Sequence, residues 1–200
     1  MTEAALAAAP PGTVAVQLRE KDLDAGALVV LARELRAICD RYHAGLLVND
    51  RIDVAIAVRA DGVHLPADSF AVADARALLG DARLIGVSTH DESEVIAAVG
   101  GGADFVVYGP VFDPLSKASN TAARGAQGLD AAVRAASIPV FALGGITAER
   151  VRELGVTGGG VGDAHGRAMG PAGVAAIGSI YAAPDPAVAM RELVNAIASW

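Results

Sequence analysis

Short apolar strands alternate with helices along this 200-residue chain, and polar residues stand at the C-terminal end of nearly every strand. Together these predict an α/β fold, a (β/α)8 TIM barrel lacking its first strand. Strict alternation calls for a parallel sheet covered by helices. A barrel is preferred to an open doubly wound sheet because no Gly-x-Gly-x-x-Gly turn follows the first strand present. In a barrel, Arg19, Asp50, His64, Ser88, His90, Lys117, Gly145 and Ser179 would also converge on one mouth.

The first strand is Val14-Ala15-Val16-Gln17-Leu18, β-branched and apolar, running into Arg19-Glu20-Lys21-Asp22. Strand alternation would point Gln17, Arg19 and Lys21 the same way. Two cations at that spacing repel unless an anion sits between them. A phosphate or pyrophosphate would fit, with Arg as a planar fork and Lys as a point charge. The alternative is a solvated strand end neutralised by Glu20 and Asp22. Asp24 then caps a helix over 24–43, with Leu28, Leu31, Leu35 and Ile38 on one stripe.

An apolar strand at 45–48 ends in Asn49-Asp50, and a helix over 51–59 follows. A strand at 61–65 leads to a helix over 72–79. The strand at 83–87 ends in Ser88-Thr89-His90. Asp91 with Glu94 has capping-box spacing and opens a helix to 99. A strand at 103–108 runs into a loop over 109–125, and a helix spans 126–136. The strand at 139–143 ends in Gly144-Gly145-Ile146, before a helix over 147–154. The last strand, 173–177, ends in Gly178-Ser179-Ile180, and a final helix runs from 185 or 186 to 199. Glycine turns after the last two strands sit where barrels often hold a phosphate on backbone N–H groups. The count is seven strands. Residues 1–12 look like a helix tail and a turn, so closure calls for one more strand upstream, or the barrel stays open with two exposed edges.

Composition narrows the function. With 53% hydrophobic residues the chain suits one domain over residues 1–200. A net charge of −7 with scattered Lys and Arg argues against nucleic acid as a partner. Cys39 is the only cysteine, which excludes internal disulfides and makes a zinc cluster a poor fit. Apolar runs are short and broken by charge, so no membrane helix is expected. The Ala-rich start, with Pro10-Pro11, has no basic head like that of a signal peptide. The expectation is a soluble cytoplasmic protein, with homo-oligomer formation left open.

Six motifs carry a family resemblance. They are Val16-Gln17-Leu18-Arg19-Glu20-Lys21-Asp22, Val48-Asn49-Asp50-Arg51, Asp61-Gly62-Val63-His64-Leu65, Gly86-Val87-Ser88-Thr89-His90, Gly109-Pro110-Val111-Phe112 with Ser116-Lys117, and Ala142-Leu143-Gly144-Gly145-Ile146. In this order, across 14–186, they resemble the thiamine phosphate synthase family, which also contains a thiazole tautomerase. The resemblance implies a transferase that joins a hydroxymethylpyrimidine diphosphate to a thiazole phosphate, giving thiamine phosphate and pyrophosphate. Pyrophosphate would leave first, with Mg2+ as cofactor, and the thiazole nitrogen would trap the resulting cation. It further implies that Gln17, Arg19, Lys21 and Asn49 hold the pyrimidine diphosphate, with His64 and His90 among the substrate-binding residues. Asp50 would bind Mg2+. Ser88 and Lys117 would contact the pyrophosphate, Ser116 would be among the substrate-binding residues, and Arg19, Ser88 and Lys117 would act in catalysis. Gly145, Gly178 and Ser179 would hold the thiazole phosphate.

Three departures qualify these expectations. The family's second Mg2+ ligand is an Asp; here Ser69 stands in register and Asp68 is one residue early, so either Asp68 serves as the second ligand through a changed loop or Mg2+ binding is weakened. Pro114 and Ser116 replace two threonines before Lys117. The stretch 155–173 is longer than the family pattern and holds eight glycines, the composition of a flexible loop. Simpler roles stay open: Asp50 as a helix cap, His64 as a core histidine, His90 as a loop residue, Lys117 as a solvated lysine. So do two other functions. One is the tautomerase, with His90 moving a proton; the other is a degenerate barrel that binds a phosphorylated ligand without turnover.

Overall fold

The computed structural model describes residues 1–113, 122–157 and 170–200. Seven parallel strands form one sheet, each paired with its sequence neighbours: β1 (Ala15–Leu18), β2 (Gly45–Asn49), β3 (Gly62–Leu65), β4 (Leu84–Thr89), β5 (Phe105–Tyr108), β6 (Val140–Leu143) and β7 (Gly173–Ala175). The helices are α1 (Thr2–Leu6), α2 (Ala25–Arg41), α3 (Ile52–Ala57), α4 (Val72–Leu79), α5 (Glu92–Gly100), α6 (Gly125–Ala135), α7 (Ala148–Thr157), α8 (Gly178–Tyr181) and α9 (Pro186–Ile197). The sheet curls as a barrel does but does not close, because β1 and β7 are its edges among the described residues. The seven-strand count from the sequence holds. No helix among the described residues is long and apolar enough to cross a membrane.

Local chemistry places the elements. The Asp24 carboxylate accepts the Ala27 N–H at 2.9 Å and starts α2. Asp185 does the same for α9 through Ala187 and Val188, with Pro186 at the first helical position. Asp91 caps α5 through Glu94 N–H at 3.0 Å. The expected capping box is altered: the Glu94 carboxylate accepts from the His90 N–H at 2.6 Å, one residue ahead of the cap. Alternation along the strands separates two faces. Val48, Val63, Leu65, Ile85, Val106 and Ala142 are buried in the core. Asn49, His64, Ser88, Phe105 and Phe141 share the opposite, inner face through hydrogen bonds and ring contacts.

The short α1 joins the two ends of the helix layer. Ala5 packs in the same core as Leu193 and Ala196 of α9, while Leu6 packs with Leu18 and Leu28. Thr2 Oγ1 lies 2.8 Å from the Tyr181 hydroxyl. The glycine-rich loop expected over 155–173 begins later than that. Gly155 is helical and lies against the Trp200 indole, whose N–H donates to the Val151 carbonyl at 2.8 Å. Residues 158–169 of that stretch lie outside the described residues.

Candidate active site

Four predicted residues meet at the C-terminal ends of β1 to β4. The Gln17 amide Nε2 donates to Asn49 Oδ1 at 3.0 Å and to His64 Nδ1 at 2.9 Å. His64 Nε2 lies 3.5 Å from Ser88 Oγ. The His64 ring is stacked on Phe105, with centroids 6.3 Å apart and planes 11° apart. Phe105 in turn meets Phe141 edge-on at 5.6 Å. Gly86 makes room for this arrangement, since a Cβ there would lie 2.1 Å from the Phe105 ring. His64 is 4% exposed. Burial first, and the Arg19 charge second, push its pKa down to about 4, so the ring is neutral at neutral pH. His64 is thus buried, as the core-histidine reading expects, and it also belongs to the polar network of the mouth.

The strand-face expectation for Arg19 and Lys21 is corrected. β1 ends at Leu18, so alternation orders Gln17 but not the two cations. Both are exposed and, among the described residues, have no ion pair. Glu20 does not neutralise Lys21; its carboxylate accepts the Asp22 N–H at 3.1 Å. The Arg19 charge is felt at His64, on the mouth side of the sheet.

Asp50 follows β2 at φ +65°, a left-handed conformation that Asp tolerates better than most residues. It is not a helix cap: α3 starts after Arg51 with no side-chain cap. Its carboxylate instead accepts a hydrogen bond from the Ser69 hydroxyl. Asp68 is exposed, and the chain turn brings Ser69 rather than Asp68 to Asp50. Among the described residues no three His, Cys, Asp or Glu side chains are grouped to hold a metal. A Mg2+ ion, which keeps waters and takes one or two carboxylates plus substrate phosphates, fits Asp50 in this reduced form.

At the far end of the sheet, Gly144 and Gly145 follow β6 at φ +102° and +59°, conformations glycine adopts without strain. The Arg150 guanidinium secures this turn, donating to the Gly145 carbonyl at 2.7 Å and to that of Asp113 at 3.3 Å while covering the Phe112 ring at 4.9 Å. After β7, Gly178 and Ser179 open the one-turn α8. Ser179 Oγ is buried without a hydrogen-bond partner among the described residues. A buried, unpaired hydroxyl is costly unless a ligand answers it. His90 lies outside the four-residue network, with Nδ1 3.0 Å from Glu94 Oε2. Ser116 and Lys117, with Pro114, lie outside the described residues.

Sequence reasoning missed Arg150 and Phe105. Each left a signal. Arg150 stands three residues after Thr147, whose hydroxyl accepts its N–H at 3.2 Å, in the first turn after a Gly-Gly pair. Phe105 occupies an inward position by strand parity, opposite Gly86 in register.

Comparison with known proteins agrees with this geometry. The family model for thiamine monophosphate synthase matches residues 1–182. A putative thiamine-phosphate synthase of Geobacter sulfurreducens is 46% identical over 183 residues, 92% of this chain and 80% of that protein. The thiamine-phosphate synthase of Chloroflexus aurantiacus is 38% identical, over 91% of this chain and 78% of its own. The structure of thiamine phosphate pyrophosphorylase from Pyrococcus furiosus superposes with a TM-score of 0.81 at 30% identity, covering 98% of this chain and 88% of that one. A 3-hexulose-6-phosphate synthase, at 20% identity and a TM-score of 0.64, shares the fold over 98% of this chain and 94% of its own. The matches span the elements that carry the mouth, and the chain belongs to the thiamine monophosphate synthase family.

Proposed function

We propose that the protein joins a hydroxymethylpyrimidine diphosphate to a thiazole phosphate, giving thiamine phosphate and pyrophosphate. The observation that carries this reading is the continuous line Asn49–Gln17–His64–Ser88 across four strand ends, beside Arg19 and Lys21, which are exposed and have no ion pair among the described residues. Amide and hydroxyl groups suit a polar heterocycle, and free cations suit a diphosphate. Gln17 and Asn49 orient the pyrimidine. Arg19, Lys21, Ser88, Ser116 and Lys117 bind the departing pyrophosphate, so that charge developing on it meets donors already in place. Asp50 would hold Mg2+, and Asp68 would join it only through a change in the loop that now brings Ser69 to Asp50. Once bound, the ion would neutralise charge on the leaving group. Ser179, Gly178 and Gly145 hold the thiazole phosphate, bringing its ring nitrogen to the pyrimidine methyl cation; the buried Ser179 hydroxyl, without a partner among the described residues, supports this.

His90, the acid–base residue of the tautomerase alternative, is tied to Glu94, and no observation favours that reaction. The test is thiamine phosphate formation from the two phosphorylated halves, with and without Mg2+. Mg2+-dependent product is expected. Binding of both halves without product would overturn the proposal in favour of a ligand-binding barrel.

A further inference from the structure

The hydrogen bonds around His64 have a direction. The Gln17 Nε2 group is a donor and meets Asn49 Oδ1 on one side and His64 Nδ1 on the other. A ring nitrogen that accepts a hydrogen bond carries no proton, so in the neutral imidazole the proton sits on Nε2. Nε2 faces Ser88 Oγ at 3.5 Å. The hydroxyl oxygen is then the acceptor, and its own proton is left for a partner in the mouth. The stack on Phe105, itself set against Phe141, fixes the plane of the His64 ring.

We infer that His64 is a positioning residue: Gln17 fixes its tautomer, and its Nε2–H turns the Ser88 hydroxyl outward as a hydrogen-bond donor to a pyrophosphate oxygen. This rests on the proposed role of Ser88 as a pyrophosphate contact. It assigns His64 an action through Ser88 in place of contact with the substrate. The alternative direction, with Ser88 donating to His64, would leave no Ser88 proton for the anion.

Two measurements on the full chain decide it. A nitrogen NMR spectrum of the His64 ring should show the proton on Nε2, both free and with Mg2+ and inorganic pyrophosphate. A proton on Nδ1 would overturn the inference, and this readout needs no substitution. The second is a double-variant cycle read as affinity for inorganic pyrophosphate in the presence of Mg2+. His64→Phe, which keeps the ring stack, should weaken binding about tenfold, and His64→Gln, which restores a donor, should recover most of that loss. Ser88→Ala with His64→Phe should bind no worse than Ser88→Ala alone. Additive losses, an unaffected His64→Phe, or no pyrophosphate binding by the unaltered chain would each overturn it. Turnover separates the two proposals. Pyrophosphate binding with a non-additive cycle but no thiamine phosphate defeats only the synthase reading. Product formation with an additive cycle defeats only the positioning role.

Discussion

The two rims of the sheet use polar side chains in opposite ways. At the N-terminal rim one device occurs twice. The Asp61 carboxylate, just ahead of β3, accepts the Leu46 N–H at 2.6 Å and pairs with Arg36 at 2.5 Å, and Arg36 also reaches the Ala44 carbonyl. The Asp104 carboxylate, just ahead of β5, accepts the Ile85 N–H at 2.6 Å and pairs with Arg76 at 2.6 Å, and Arg76 reaches the Arg83 carbonyl. Each Asp ties the start of one strand to the next, and each Arg locks a helix over the join. At the C-terminal rim Ser179 has no described partner, Arg19 and Lys21 have no described ion pair, and His64 sits in a buried place that disfavours its charge. One rim is built for stability; the other keeps donors and charges ready for a ligand.

Acid should separate the rims most clearly. Unfolded His64 takes up a proton near pH 6.5, whereas the folded ring resists until about pH 4. Between those values the unfolded chain binds more protons, so stability falls as pH falls, by on the order of 3 kcal/mol. Urea titrations across that window should show the loss, and His64→Phe should flatten it. At the other rim, burial opposes the Asp61 charge, but the Leu46 N–H and Arg36 outweigh it and hold the carboxyl below its ordinary value of 3.8. Its contribution is present above that value and is lost only as pH falls further.

Asp61→Ala leaves the Leu46 N–H and Arg36 without their acceptor. We expect a loss of about 2 kcal/mol in urea unfolding, with turnover per folded molecule unchanged. A turnover defect at full stability would break the comparison. Lys21→Ala is the converse: turnover down about tenfold, the effect of one lost charge-assisted contact, with an unchanged melting temperature. Unaltered turnover there would remove Lys21 from the site. The smallest effect is expected from Ser179→Ala. It should raise the KM for the thiazole phosphate severalfold and slightly raise stability, because it deletes a buried hydroxyl that has no partner among the described residues.

Much of the fold was legible locally. Asp24, Asp91 and Asp185 each precede an apolar-periodic run, and each carboxylate caps its helix. The barrel class followed from alternation, and seven strands were countable because each is a short apolar run between turn residues. Errors arose where one side chain had two local choices. Glu94 could reach its own cap residue and took the His90 N–H instead. Asp50 faced a similar choice, but the helix cap was only its simpler alternative to Mg2+ binding, and its carboxylate took the Ser69 hydroxyl. The apolar strand to Leu18 is as expected, but alternation was carried on to Arg19 and Lys21, where pairing with β2 has stopped and alternation has no force.

The sequence by itself determined the order of strands and helices, the helix starts and the set of polar residues delivered to one rim. Hydrophobic period, capping and turn chemistry act over a few residues, and a single chain displays them. Only the tertiary structure decided which of those residues meet. His64 lies 47 positions from Gln17 and 24 from Ser88, and Arg36 lies 25 from Asp61. Their hydrogen bonds exist because parallel pairing sets the strands in register and lays helix α2 over their starts, a long-range condition that no local pattern encodes.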